Sequence, residues 1–299
     1  MITLEALARL AQEHPEALRA EVEPVRIGDR QWSDEPVLMA TVNLSRDSTY
    51  RESIATGIDS AVRKARVAVA SGAHFVDIGA ESTTARAARV GADDQLGRLL
   101  PVIEQCTDEG IAVSVETYDP AVARAGLAAG AQVLNLTGAA HQEEMFDLVA
   151  EFGATVILCY VKGDNVREIT DVRLDTDPIP GLIAHFEERV ETARGRGVER
   201  IIIDPGMGFY YGNLVDPLTR VRHQASVILN TFRLRSLGLP ICNAMPHAFD
   251  IFEDQFRTAE GYFAVLGVLG GTSMLRVHEV AHVRAVVEAM RLLDVASDA

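Results

Sequence analysis

The stretch Arg200-Ile201-Ile202-Ile203-Asp204-Pro205-Gly206-Met207-Gly208-Phe209 is a short apolar run that stops on an acidic residue and passes into a glycine-rich turn. A continuous apolar run, rather than an alternating one, suits a strand buried on both faces, as in a parallel sheet. The same unit recurs from Pro36 onward. Runs rich in Val and Ile occupy Val37–Asn43, His74–Gly79, Ile111–Glu116, Gln132–Asn135, Ala154–Tyr160, Arg200–Asp204, Leu239–Asn243 and Ser273–His278. Between them lie stretches with helical spacing, among them Ile54–Ser71, Gln95–Glu109, Asp119–Ala129, Glu143–Phe152, Gly181–Gly197 and Thr258–Leu269. Eight βα units in about 260 residues match an α/β chain closed into a (β/α)8 barrel, typically about 250 residues long. A doubly wound open sheet is the rival arrangement, and periodicity alone does not separate the two. The lack of a glycine-rich dinucleotide fingerprint after the first strand weighs against it.

Outside this rhythm, Leu4, Leu7, Leu10 and Ala11 fall at helical spacing, with Pro15 breaking the helix in two. Residues 1–35 are therefore expected to form an N-terminal helical extension, and residues 36–299 the barrel domain.

Charge and composition restrict the partners. The chain carries 28 Lys and Arg against 43 Asp and Glu, a net charge of −15, and 48% of its residues are apolar. That apolar share excludes a disordered or fibrous chain. The acidic excess speaks against nucleic acid, since nothing here would neutralise a run of phosphates. Cys106, Cys159 and Cys242 are odd in number and widely spaced, which fits neither a disulfide framework nor a metal-ligand pattern and suits a reducing compartment. No secretory signal opens the sequence, and apolar stretches such as Ala264–Leu269 are too short to span a bilayer. The expectation is a soluble cytoplasmic protein without a membrane partner.

The strand ends carry Asn43, Asp77, Glu116, Asn135, Asp204, Asn243, Arg276 and His278. In a (β/α)8 barrel those ends form the mouth where chemistry is done. Any one of them is as readily explained as a helix cap or turn former. The whole set is not, because capping does not ask for a polar group on every strand. Carboxylates and amides together suit a flat heterocycle rich in N–H donors. Arg276 and His278, two apart on one strand, would share a face and hold an anion. This locates positive charge where an acidic protein would otherwise repel such a ligand.

Three strings, Asp77-Ile78-Gly79-Ala80-Glu81-Ser82-Thr83, Asp204-Pro205-Gly206-Met207-Gly208-Phe209 and Arg276-Val277-His278-Glu279-Val280, stand in this order at strand ends. With Met39-Ala40-Thr41-Val42-Asn43, the Asp47-Ser48 pair behind it, and Ser114-Val115-Glu116-Thr117-Tyr118, they resemble the dihydropteroate synthase family of pterin-binding TIM barrels. The resemblance runs from about Pro36 to the C-terminus. It implies a transferase of folate biosynthesis that displaces pyrophosphate from 6-hydroxymethyl-7,8-dihydropterin pyrophosphate with the amine of p-aminobenzoate. It further implies that Glu116, Asn135 and Asp204 hold the pterin, with Asp204 and Glu116 as the catalytic carboxylates. Asn43, Arg276 and His278 would hold the diphosphate, with Mg2+ near Asn43. Asp47, Ser48 and Thr83 would lie in the acceptor-side loops. The family usually pairs through its last helices, where Val286, Val287 and Met290 would allow a homodimer.

Departures from the family pattern cluster on the acceptor side. Glu116 stands where the family has Asp, and Leu136 follows Asn135 where Asp is usual. The family's Ser-Arg-Lys falls on Pro246-His247-Ala248, its Arg-Pro-Gly on Thr84-Ala85-Arg86, its Gly-Phe-Gly-Lys on Gly208-Phe209-Tyr210-Tyr211, and its Thr-Pro on Ser45-Arg46. His247, Arg86 and Arg46 are the residues that would compensate. Besides the synthase, two readings stay open: a pterin-binding relative with another acceptor or no turnover, and a pterin- or folate-dependent methyltransferase.

Overall fold

The computed structural model describes residues 2–45, 54–55, 57–82, 89–161, 163–165, 177–209 and 216–293. Two short helices come first, α1 (Leu4–Glu13) and α2 (Pro15–Arg19), followed by a hairpin of β1 (Val25–Ile27) and β2 (Arg30–Trp32). Then the strands β3 (Val37–Asn43), β4 (Phe75–Gly79), β5 (Val113–Thr117), β6 (Val133–Leu136), β7 (Thr155–Cys159), β8 (Arg200–Asp204), β9 (Cys242–Ala244) and β10 (Met274–Val277) alternate with helices. These are α3 (Ile58–Ala70), α4 (Ala92–Asp108), α5 (Pro120–Ala128), α6 (Gln142–Glu151), α7 (Ile179–Gly195), α8 (Pro217–Leu229), the short α9 (Phe249–Phe252) with α10 (Arg257–Leu269), and α11 (Val280–Leu292). Among the described residues no helix is long and apolar enough to cross a membrane.

All eight strands from β3 to β10 run parallel, in the order β8-β7-β6-β5-β4-β3-β10-β9. A parallel bridge between Ile203 and Ile241, with the Ile203 amide donating to the Pro240 carbonyl at 3.0 Å, brings β8 to β9. The sheet thus closes on itself as the (β/α)8 barrel expected from the repeating units, and no long open edge is left. Local sequence sets the crossovers. At α5, for example, Pro120 occupies the first turn and the Asp119 side chain accepts from the amides of Ala121 and Val122, so the orphan donors of the helix start are met.

The pleat divides the apolar residues between two cores. Leu38, Ala40, Val42, Val76, Ile78, Val113, Val115, Leu134, Val156, Leu158, Ile201 and Ile203 face outward into the layer between strands and helices. Val37, Met39, Phe75, Val133, Ile157, Ile202, Cys242 and Met274 face inward and fill the lower half of the barrel. Successive strand residues point to opposite faces, so a run that reads as uniformly apolar feeds both layers at once.

Within the first 35 residues α1 and α2 supply the helical part, and the β1–β2 hairpin follows them. The hairpin plugs the bottom of the barrel. Val25 and Ile27, 2% and 1% exposed, join the inward core, and Trp32 packs on it edge-on to the His74 ring at 5.4 Å. Its two-residue turn at Gly28-Asp29 has Gly28 at φ +55°, a conformation that glycine adopts without a Cβ clash. Thr155 Oγ1 and Arg200 Nη1 donate to the carbonyls of Arg26 and Gly28 at 2.6 and 3.1 Å, tying the plug to β7 and β8.

Candidate functional site

Above the apolar floor, the same inward-facing registers carry polar groups. Moving two residues along from Phe75 gives Asp77, from Val133 gives Asn135, from Ile157 gives Cys159, from Ile202 gives Asp204 and from Met274 gives Arg276. Strand register then sets the neighbours: Asp77 lies beside Ser114, Glu116 beside Asn135, and Cys159 beside Asp204. Glu116, Asn135, Cys159, Asp204 and Arg276 line one cavity, open to solvent at the C-terminal ends of the strands.

Asp77, fully buried, organises the floor of that cavity. Its Oδ1 accepts from Ser114 Oγ at 2.7 Å, and its Oδ2 accepts from Asn135 Nδ2 at 3.0 Å and Arg276 Nε at 2.8 Å. Arg276 Nη2 donates to Glu116 Oε2 at 2.5 Å, so one guanidinium bridges two carboxylates. Asn135 is oriented at both ends, since its Oδ1 accepts from Cys159 Sγ at 3.2 Å. On the next strand the Gly206 amide donates to Asp204 Oδ1 at 2.7 Å, with Gly206 at φ +79°, and the Cys242 thiol also bonds Asp204.

Burial governs the charges. It pushes Glu116 up to about 7 against the pull of Arg276, with Asp77 adding to the rise. It pushes Asp204 up to about 6, while the Gly206 amide, Cys242 and Arg276 hold it down. For Arg276 burial acts to lower the pKa, but Glu116 and Asp77 outweigh it and the guanidinium stays charged. The thiols of Cys159 and Cys242 are raised well above their ordinary range by burial, which makes them hydrogen-bonding core residues rather than nucleophiles.

The rim is built from the segments that follow the strands. Asn43 ends β3, and His278 follows β10. Glu260, buried on α10, accepts from the His278 and Glu279 amides at 2.8–3.0 Å and lies 2.9 Å from His278 Nδ1. His247 packs edge-on against the His278 ring at 4.6 Å, and burial, with His278 next to it, pushes it down to about 3. Its Nδ1 is 3.6 Å from Glu260 Oε1, a contact between a neutral ring and a carboxylate. Glu260 itself is raised by burial. Farther out, Arg220 donates to Asp250 at 2.6 Å, and Tyr118 Oη donates to Glu81 Oε2 at 2.5 Å.

Of the residues singled out in the sequence, Asn43, Glu116, Asn135, Asp204, Arg276 and His278 meet around this one cavity. Asp47, Ser48 and Thr83 lie outside the described residues, as do Arg46, Arg86, Tyr210 and Tyr211. Asn243 does not belong to the set. Its Nδ2 donates to Thr231 and Thr272 at 3.0 and 2.8 Å, because odd and even positions of β9 face opposite sides and Asn243 points outward. Arg276 was expected to hold an anion; two of its nitrogens are committed to carboxylates, leaving only Nη1 outside those pairs. The sequence reading counted Asp77 as a strand-end residue without seeing it as the hub, and it missed Glu260. The signal for Asp77 was present, a lone acid inside the run Phe75-Val76-Asp77-Ile78. Glu260 sits inside a helix pattern with nothing local to mark it.

The chain as a whole is similar to proteins of one family. Residues 39–278 match the family described as pterin binding enzyme. The dihydropteroate synthase of Bacillus subtilis (strain 168) is 28% identical over 270 residues, covering 87% of this chain and 89% of that one. A mitochondrial folate synthesis bifunctional protein of Arabidopsis thaliana is 31% identical over 281 residues, or 86% of this chain, which spans only 50% of that longer protein. In three dimensions, the Xanthomonas albilineans dihydropteroate synthase solved with 4-aminobenzoic acid superposes with a TM-score of 0.76 at 26% identity, over 91% of this chain and 98% of that one.

Proposed function

The chain belongs to the pterin-binding enzyme family and is a dihydropteroate synthase-like transferase of folate biosynthesis; from that premise we propose how its own residues divide the work. The reaction joins the 6-methylene carbon of a dihydropterin to the amine of p-aminobenzoate: a C–N bond forms, the C–O bond to diphosphate breaks, and the amine loses a proton. The observation that carries this reading is the grouping of Glu116, Asn135 and Asp204 around one cavity with His278 at its rim.

Asp204 and Asn135 accept and donate along the edge of the pterin ring. Glu116 and Asp204, held in a buried environment where charge interactions are strong, stabilise the positive charge that develops on the pterin as diphosphate leaves. His278, held through Nδ1 by Glu260, turns its other ring nitrogen to the diphosphate, assisted by Arg276 Nη1. The donor chemistry at Asn43 fits Mg2+: an amide oxygen at the rim suits a hard cation that takes its remaining ligands from phosphate oxygens and water. Such an ion would neutralise charge on the departing diphosphate.

A second acceptor chemistry is favoured by one specific observation. The cavity wall carries Pro246, His247 and Ala248, and none of these offers a Lys cation or a Ser hydroxyl. An amine acceptor other than p-aminobenzoate would then share the same pterin half-site. Calorimetry with 6-hydroxymethylpterin, followed by a pyrophosphate-release assay with p-aminobenzoate, separates the two. Pterin binding with release supports the synthase, binding without release supports another acceptor, and no binding sinks both.

Three further features belong to this proposal. The barrel domain spans 36–299, with 1–35 as its N-terminal plug. A homodimer would use Tyr262, Leu269, Leu292 and Leu293, exposed on or beside α10 and α11, rather than Val287, which is already 8% exposed in the core, or Val286, which packs against it. A cytoplasmic setting suits three buried, unpaired cysteines.

A further inference from the structure

We propose that His247, Glu260 and His278 form a binding site for a divalent transition-metal ion at the rim of the cavity, with two imidazoles and one carboxylate as ligands. They come from three separate segments, the loop after β9, the helix α10 and the end of β10. Their ligand atoms all lie within 4.8 Å of one another. Glu260 Oε1 sits 2.9 Å from His278 Nδ1 and 3.6 Å from His247 Nδ1. Nitrogen and carboxylate ligands about 2.1 Å from a tetrahedral zinc ion stand about 3.4 Å apart, so the observed spacings bracket that geometry. The ion takes the place of the proton between Glu260 and His278, and adjustment of the two rings, whose ligand atoms already lie within 4.8 Å of each other and of Glu260, completes the set.

The donor set also selects the kind of ion. Imidazole with carboxylate suits Zn2+, Co2+ or Fe2+, whereas Mg2+ and Ca2+ prefer oxygen alone. Glu260 is 1% exposed at its side chain and receives the amides of His278 and Glu279, the kind of outer hydrogen bonding that fixes a ligating carboxylate. A cation there also neutralises a carboxylate that is otherwise buried between two rings. His247 and His278 both line the cavity, so the fourth coordination position faces the ligand space rather than the core. There it would take an anionic oxygen of the diphosphate; this last clause rests on the synthase reading, whereas the ion site does not.

The test is a titration of the metal-stripped full-length chain with Co2+, without substrate, followed by visible absorption. The expected result is a saturable band at one equivalent, with the intensity of four- or five-coordinate cobalt, abolished by Zn2+. His247→Ala and Glu260→Gln should each weaken cobalt binding by more than the 10- to 100-fold (about) that loss of an outer hydrogen-bond partner costs. His247→Ala decides the matter even if Glu260→Gln does not fold, because it leaves the Glu260 bonds to the end of β10 in place. An absent band, or equal cobalt affinity in wild type and His247→Ala, overturns the proposal and leaves the cluster as a brace for His278. Calorimetry of the same protein with 6-hydroxymethylpterin separates the two: no pterin binding with the cobalt band intact sinks the synthase reading and leaves the ion site standing.

Discussion

Arg276 Nη2 donates to Glu116 Oε2 at 2.5 Å across the barrel interior, from β10 to β5, three places apart in the sheet. An aspartate at position 116 would be one methylene shorter. The extra reach of glutamate therefore makes the Arg276 guanidinium a bridge between Glu116 and Asp77. This relationship gives Arg276 a task in holding the pterin-facing groups as well as in meeting an anion.

Arg276→Ala should accordingly weaken a bare hydroxymethylpterin and its diphosphate alike, because Asp77 and Glu116 lose their shared cation. His278→Ala should weaken only the diphosphate, by about 10- to 100-fold, as for a lost charge-assisted hydrogen bond. Calorimetry with the two ligands measures both. If Arg276→Ala spares the bare pterin, the bracing role is wrong.

Asp77→Ala should be among the most destabilising substitutions in the barrel. It strands Ser114, Asn135 and the Arg276 charge together in a buried place, at a cost of about 3–5 kcal/mol. Urea unfolding gives the loss, and a change under about 1 kcal/mol would show that water replaces the carboxylate.

The pH dependence of stability carries the mark of Glu116. Its folded pKa, raised from 4.5 to about 7, keeps a proton that the unfolded chain releases. Its contribution is therefore complete below about pH 4.5 and is lost as the pH rises through 7. Asp204, raised to about 6, acts with the same sign. His185 and His247, lowered to about 4 and about 3 chiefly by burial, act with the opposite sign, stabilising above 6.5 and failing as the pH falls. The opposed effects flatten the wild-type curve, so the informative quantity is a difference. The stability of wild type relative to Glu116→Gln should fall by up to about 3 kcal/mol between pH 4.5 and pH 8. A pH-independent difference in paired urea melts would refute the raised pKa.

Ile27→Ala should cost about 2–4 kcal/mol, the range for an emptied aliphatic site in a packed core. Ile27 is 1% exposed and belongs to the inward core with Met39 and Phe75. Leu4→Ala, at a residue 86% exposed on α1, should change stability by less than about 0.5 kcal/mol. Thermal or urea melts of the pair show whether the hairpin or the helices make the N-terminal segment integral to the barrel.

The sequence by itself determined the barrel and the family of its site. The runs from Val37 to His278 are local signals: β-branched residues fit a pleat, and a polar residue at the end of each run falls at a predictable place once eight parallel strands close. The hairpin turning at Gly28-Asp29 joins strands of only three residues each, Val25-Arg26-Ile27 and Arg30-Gln31-Trp32, too short for a period-2 pattern to stand out beside the helical spacing that precedes them. What only the tertiary structure decided is which polar groups meet. Side-chain parity sent Asn243 outward to Thr231 and Thr272 and sent Asp77 inward to Arg276. Glu260 reached His278 from a helix 18 residues earlier in the chain. No local pattern encodes such pairings, because they depend on closure of the sheet and on the seating of α10 against β10. Closure also gave this chain of net charge −15 a buried arginine that Asp77 and Glu116 share.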